Sequence, residues 1–384
     1  MQGVTIRNLS QTGGDPVAQA FEVQIVELNM GPQHPSTHGV LQVILKLEGE
    51  RIIEAKPIMG YLHTGFEKLA EERTYPMSAP TFDRMDYLSP ILNNLGYVGT
   101  VEKLMGLEIP KRAQYIRVIF GELQRIASHL FWLATHALDI GAMGMLFYGT
   151  RERELILDLF EMYTGARLLP NAFIIGGLRA DLPPGFDHKL NQFLKEMPAR
   201  IDDYHGLLNS NRIWMERTVG VGVLPKEVAI GLSMSGPMIR GSGVPFDIRR
   251  AMPYCSYEDF QFEIPTSQSC DTYGRYLVRM EEMRQSLKII EQAWGKLPQG
   301  EIKAVVGRNV KPPIGEVYHT IESAKGQLGY YLVSDGTNQP YRCHVRGPSF
   351  VNLQALSWLS KGALIADVVA LIGTIDIVLG EVDR

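Results

Sequence analysis

The chain has 384 residues, 45% of them hydrophobic and 21% charged, with a formal net charge of −4. That composition belongs to a globular protein long enough for one large domain or two medium ones. Neither sign of charge reaches the excess that a nucleic-acid partner demands.

In chain order, residues 1–20 hold one early arginine, Arg7, and no apolar core. This is no secretory signal, and the segment is expected to be flexible. Residues 21–62 alternate with period two, as in Glu22-Val-Gln-Ile-Val-Glu-Leu28, and turn at Glu48-Gly49-Glu50. That pattern predicts a small antiparallel meander. Apolar positions at three and four spacings then predict helices over 66–74, 83–107, 112–143 and 152–163. A Gly/Pro-rich link, Gly176-Gly177 to Pro183-Pro184-Gly185, leads to further helices at 188–209 and 273–294. Pro312-Pro313 opens a β-rich tail, and two helical stretches close the chain. No internal repeat or low-complexity tract interrupts this order. The expected class is α+β, one domain over 21–384: meander 21–62, helical core 63–300, β-rich part 301–350, terminal helices 351–384.

A membrane-spanning helix needs roughly 18 uninterrupted apolar residues. The nearest stretches fail on charge: 115–145 carries Arg117, Glu122 and Arg125, and 363–380 carries Asp367 and Asp376. Both read as buried core helices, which leaves membrane contact peripheral or through partners. Cys255, Cys270 and Cys343 are scattered, with no CxxC or Cys/His cluster. A disulfide framework or structural zinc is therefore not expected. An iron–sulfur cluster needs about four thiolates, so this chain holds none alone. Any electron carrier sits elsewhere.

Three segments could carry chemistry. In Gly31-Pro-Gln-His-Pro-Ser-Thr-His-Gly39, two histidines stand four apart, a spacing that binds metal on a helix. Pro35 and the bracketing glycines oppose a helix, so the segment reads as a hairpin loop able to hold His34 and His38 over a cavity. On spacing alone, a proline-stiffened turn with two solvated histidines is the plainer account. In Asp83-Arg-Met-Asp-Tyr-Leu88, Asp83 suits the cap of the helix expected to start there. Arg84 does not fit, since a cation near a helix N-terminus is mildly unfavourable. Arg125, His129, Trp132, His136 and Asp139 share one face of the long helix. They form either a solvated stripe or a set paired inside the bundle, because an unpaired buried carboxylate costs several kcal/mol.

The order of local segments is more specific than any one of them. The loop just quoted is followed by Gly60-Tyr-Leu-His-Thr-Gly-Phe-Glu-Lys68, Arg84-Met-Asp-Tyr-Leu88 and Thr135-His-Ala-Leu-Asp-Ile-Gly-Ala-Met143. Then come Arg151-Glu-Arg-Glu154, Tyr163-Thr-Gly-Ala-Arg167, Tyr331-Leu-Val-Ser-Asp-Gly336 and Gly380-Glu-Val-Asp-Arg384. From about residue 22 to the end, the chain resembles the D subunits of the proton-pumping NADH–quinone oxidoreductases (respiratory complex I), the family that supplies the quinone site.

The resemblance implies a fold like that of the large subunit of nickel–iron hydrogenases, with a central long-helix bundle. The paired cysteine motifs that hold metal in those hydrogenases are missing here, so the implied occupant is a quinone, the substrate. Carried over position by position, His38 and Tyr87 match the residues that hydrogen-bond the quinone carbonyls. Asp139 matches the carboxylate that pairs with His38, and Asp376 an acid lining the chamber. Arg84 matches an arginine near a [4Fe-4S] cluster that the adjacent B subunit binds, and His34 takes a supporting place. No metal, iron–sulfur cluster or flavin is implied on this chain itself. The implied partners are complex I subunits A, B, C, H and I, and no nucleic acid. The implied location is peripheral to the cell inner membrane on its cytoplasmic side, or the matrix side in mitochondria.

The chain departs from its relatives in three places. A histidine common in the stretch Leu168-Leu169-Pro170 is missing, Ile174 stands where an arginine is common, and an extra, largely helical segment that relatives carry between Pro313 and Gly315 is absent. Other functions fit the same module: a complex fed by ferredoxin or another donor, a hydrogenase-like membrane oxidoreductase, or a scaffold with a dead cavity.

Overall fold

The computed structural model describes residues 25–34, 37, 39–307 and 309–384. The predicted meander is present: β1 (Ile25–Met30), β2 (Gln42–Glu48) and β3 (Arg51–Ile58) form an antiparallel sheet in that order. Alternation decides its inner face. Val43, Leu45 and Leu47 are buried while the residues between them are half-buried, and Leu28 pairs with Leu45.

Helices follow: α1 (Phe66–Glu71), α2 (Tyr75–Phe82), α3 (Pro90–Met105), α4 (Lys111–Asp139) and α5 (Gly144–Thr164). The helix expected to begin at Asp83 begins at Pro90 instead. Asp83 is the C-cap of α2, and residues 83–89 form a link of turns. Proline explains the displacement. Pro90 fits the first helical turn, where no N–H is needed, and it keeps Ser89 out of the α conformation.

The spine is α4, buried along nearly all its length. It packs closely on α5 at Gly149, where an added Cβ would lie 2.8 Å from the Leu130 carbonyl oxygen and 3.0 Å from the Ala134 Cβ. Two short strands, β4 (Phe173–Ile174) and β5 (Gly177–Leu178), precede α6 (Phe186–Asn209). Short helices α7 (Arg212–Thr218), α8 (Lys226–Gly231), α9 (Pro237–Arg240) and α10 (Ile248–Ala251) then lead to α11 (Thr272–Gly295). These four are too brief for periodicity to reveal. At the start of α11, Asp271 caps the Gly274 N–H at 2.7 Å.

The β-rich tail is a second antiparallel sheet, β6 (Gly315–Ser323), β7 (Gly326–Ser334) and β8 (Arg342–Arg346), in that order. Where two terminal helical stretches were expected there are four short helices: α12 (Pro348–Leu353), α13 (Ala355–Leu359), α14 (Val368–Ile375) and α15 (Leu379–Asp383). The class is α+β, helical at the centre with small antiparallel sheets toward both ends. No helix among the described residues is long and apolar enough to cross a membrane. The charged stretch around Arg117 lies inside α4, where the guanidinium grips Glu102 through two 2.7 Å contacts.

A buried ionic network knits α4, α9, α10, α11 and β6. Arg240 contacts Glu282 and Glu322 at 2.7 Å each. Arg249 contacts Asp247 at 2.6 Å and Glu122 at 3.0 Å, while Arg125 reaches Glu122 at 3.2 Å. Such charges survive burial only because each is paired.

The β6–β7 hairpin closes in two residues, Ala324 and Lys325, with Ser323 opposite Gly326. Its backbone lies against Gly236, whose φ is +66° and whose added Cβ would be 2.5 Å from the Lys325 carbonyl oxygen and 2.6 Å from the Gly326 Cα. Backbone meets backbone there, so neither side can yield cheaply. Gly236→Ala is expected to cost about 2–5 kcal/mol through strain and overpacking. The check is faster proteolysis of this chain on heating the purified complex. A variant that melts with the wild type would contradict the close fit.

Candidate functional site

Two cavities meet at one side chain. The first, about 400 Å³, is lined by Gly39, Tyr87, Trp132, Thr135, Asp139 and Asp376, with further apolar residues of α4 and the C-terminal segment. The second, about 580 Å³, is mostly apolar and includes Leu62, Phe66, Met77, Arg84, Tyr87 and Gly380. Tyr87 lines both and is 37% exposed.

The structure therefore brings Tyr87, Asp139 and Asp376 to one cavity and places Arg84 with Tyr87 on the other. His38 lies outside the described residues. Its neighbour Gly39 lines the cavity shared by Tyr87 and Asp139. His34 is exposed in the β1–β2 hairpin, bridged to Gly39, and its carbonyl accepts the Thr37 N–H at 3.1 Å and hydroxyl at 2.9 Å. The hairpin expected from Pro35 and the flanking glycines is thus present at its described positions.

The polar face of α4 is paired inside the bundle, the second of the two accounts open to the sequence. His129 Nε2 is 2.9 Å from Glu282, and burial pushes its pKa down to about 4 despite that carboxylate. Trp132 donates Nε1–H to the Gly373 carbonyl at 2.7 Å and stacks on His136. The Arg279 guanidinium lies 4.2 Å from the Trp132 ring centre. Trp132 is thereby fixed as a wall of the first cavity, while Asp139 stands one turn beyond His136 at the end of α4.

The link carrying Arg84, Asp86 and Tyr87 is held by its own hydrogen bonds. Asp86 accepts the Leu88 N–H at 3.1 Å, and its carbonyl accepts the Ser89 N–H at 3.0 Å. The C-terminal segment clamps the second cavity. Asp383 accepts the N–H groups of Gly60 at 2.8 Å and Leu62 at 2.6 Å. His63 Nδ1 is 2.7 Å from the Asp383 carbonyl. Two of the recognised segments, one near each end of the chain, thus form a single structure.

Sequence reasoning missed three buried groups beside this site: Asp86, Lys325 and Glu381. The Lys325 side chain is fully buried at the hairpin turn, with its ammonium 3.2 Å from Asp86 and 4.0 Å from Asp376. A lysine in a turn ordinarily signals solvent, so nothing local marked it. Glu381 sat inside a recognised segment without an assigned role. Burial pushes Tyr87 up, reinforced by the Asp86 charge and opposed by Lys325. No group of His, Cys, Asp and Glu among the described residues could hold a metal ion.

Comparison with known proteins settles the kinship. Residues 139–309 and 304–384 match the family described as respiratory-chain NADH dehydrogenase, 49 Kd subunit. The chain belongs to that family. It is 57% identical to the NADH-quinone oxidoreductase D 2 subunit of Solibacter usitatus, over 93% of this chain and 96% of that one. It is 51% identical to the D subunit of the same enzyme from Trichlorobacter lovleyi, over 94% and 99%. With the D 2 subunit of a Roseiflexus species the identity is 48%, over 99% of both chains. The chain is accordingly a subunit of an oxidoreductase complex, with other subunits of that complex as its partners.

Asp83 offers a test of the local electrostatics. It accepts the Asn171 N–H at 2.7 Å. Burial pushes its pKa up to about 7, against the pull of that N–H and of Arg84. The folded state therefore binds this proton more tightly than the unfolded chain, and stability falls as pH rises between about 4 and 7. Asp83→Asn keeps an acceptor and removes the charge. It should stabilise the folded chain by about 2–4 kcal/mol more at pH 8 than at pH 4, by heating and limited proteolysis. Equal effects at both pH values would contradict the assignment.

Proposed function

We propose that this chain forms the quinone-headgroup site of a proton-pumping NADH–quinone oxidoreductase. In this reading it positions and protonates the quinone while electrons arrive from a [4Fe-4S] cluster in a neighbouring subunit. The observation that carries the reading is Tyr87 on the wall shared by two cavities, with Asp139 and Asp376 toward one and Arg84 toward the other. Support comes also from the relatives, whose names specify NADH and quinone as reactants. The cavity with Trp132 and Leu138 on its walls has the size and mixed polarity usual for a small aromatic ligand.

Reduction of a quinone to the hydroquinone takes two electrons and two protons. The Tyr87 phenol, with a reference pKa of about 10, holds its proton until the reduced oxygen becomes strongly basic. His38, adjoining Gly39, is the second donor, and Asp139 orients its imidazole and favours its protonated form. Both groups polarise the carbonyls before electrons arrive. Arg84 faces the side from which they come. His34 stiffens the hairpin that presents His38. When His38 gives up its proton, Asp139 loses its counter-charge in a half-buried place, and that change starts the signal to the pump.

The partners in this reading are subunits A, B, C, H and I, with the B subunit holding the cluster. The chain meets the membrane peripherally through them, on the cytoplasmic or matrix side.

Tyr87→Phe should lower quinone reduction by about 10²-fold or more, with electron flow from NADH to a hydrophilic artificial acceptor unchanged. Unaltered quinone reduction would remove Tyr87 from the chemistry. Asp139→Asn should uncouple or slow the reaction. Membrane vesicles in which this variant keeps both full quinone reduction and full proton pumping would end its role in the signal.

A further inference from the structure

An ammonium taken out of water costs several kcal/mol unless carboxylates and hydrogen-bond acceptors replace its hydration. Lys325 is fully buried, and the groups around it come from four separate elements. Its Nζ lies 3.2 Å from Asp86 Oδ2 in the α2–α3 link and 4.0 Å from Asp376 Oδ2 at the end of α14. It also donates to Ser128 Oγ on α4 at 3.2 Å. A third acid, Glu381 of α15, is fully buried nearby. One of its carboxylate oxygens accepts the Ser349 N–H at 2.9 Å, and the other has no hydrogen-bond partner among the described residues.

One cation thus stands among three carboxylates, directly behind the wall that carries Tyr87. Burial works against the Lys325 charge, but Asp376, Asp86 and Glu381 outweigh it and hold the pKa above the ordinary lysine value. Burial, with the Asp86 charge, pushes Glu381 up to about 7, while Ser349 and Lys325 oppose the rise. Arg279 faces Asp376 from α11, Arg346 faces Glu381 from β8, and Asp139 faces the same cavity from α4.

The placement exceeds what packing needs. Asp86 is the chain neighbour of Tyr87 and pins the turn that presents it, while Asp376 is itself a cavity wall. We infer that Lys325 is a positioning residue for the proposed quinone chemistry: it bridges Asp86 and Asp376 from behind, fixes the turn bearing Tyr87 and sets how readily that phenol releases its proton. The inference rests on the cavity being the quinone site.

The charges give the sign of the test. In Lys325→Met the Asp86 carboxylate is left unopposed, so the phenol holds its proton more tightly. The alkaline limb of the kcat–pH profile for quinone reduction by the assembled complex should move up by about one unit. Asp86→Asn removes the charge that opposes ionisation and leaves Lys325, so the same limb should move down by a similar amount. Lys325→Arg keeps the cation and should hold the limb near its wild-type position.

A structural role alone would lower kcat in both neutral variants without moving either limb, and superimposed profiles overturn the inference. An arginine variant that shifts as the methionine variant does overturns it equally. If Lys325→Met fails to assemble, Asp86→Asn decides: a downward move supports the bridge and an unmoved limb overturns it. Photolabelling of the wild-type complex with a short-chain azidoquinone separates the two readings. Label absent from the peptide bearing Tyr87 defeats the quinone site itself. Label present there with unmoved profiles defeats only the role of Lys325.

Discussion

A charge inside a protein must be answered by another charge or by hydrogen bonds, and the interior of this chain is organised around that demand. Arg117, Arg125, Arg240 and Arg249 are all buried, and each grips carboxylates supplied by other elements or by its own helix. These pairs fix how α4, α11 and the β6–β7 hairpin sit against one another. Well-packed apolar residues could give similar stability. What ion pairs add is direction, because a guanidinium satisfied by two carboxylates cannot slide by a turn without losing both. The cavities beside Tyr87 lie at the end of this fixed frame.

The same demand shapes the site. Asp86 would be costly beside a half-exposed phenol if Lys325 did not reach it from the hairpin. Lys325 in turn would be costly in that turn without Asp86 and Asp376. The hairpin can place the lysine there because Gly236 lets its backbone approach closely. The C-terminal segment contributes Asp376 and Glu381 to the interior and Asp383 to the loop at Gly60 and Leu62. Residues some 320 positions apart are thus held in register by a single carboxylate.

Much of this was legible in the sequence where the signal is local. Alternation in β2 and the three-and-four spacing of α4 follow from which face is buried, and both elements stand where periodicity placed them. The start of α3 was misplaced because Asp83 resembles a cap, whereas Pro90 set the boundary. The four short helices between 212 and 251 hold too few turns to show a period. Tyr87, Asp139 and Asp376 were singled out by resemblance to a family rather than by local pattern, and the structure places all three around one cavity. Lys325 was invisible for a physical reason: its role depends wholly on partners far away in the chain, and a lysine before Gly326 looks like any solvated turn.

The arrangement also separates two kinds of traffic on the proposed reading. Toward the larger cavity Tyr87 has Arg84 and Arg73 for company, and toward the smaller it has Asp139 and Asp376. A field running from cations to carboxylates across one aromatic wall favours negative charge arriving on the first side and positive charge on the second. Electrons entering past the arginines would be stabilised as they reach the ring, while protons would be drawn from the acidic side. Lys325, 3.2 Å from Asp86 and 4.0 Å from Asp376, would on the same reading keep that side from becoming too negative to release a proton. A wall with carboxylates on both faces would hold protons well and repel the reduced ring. One with arginines on both would bind the reduced ring and starve it of protons. On the proposed reading, the asymmetry about residue 87 would let the phenol stand between the two needs.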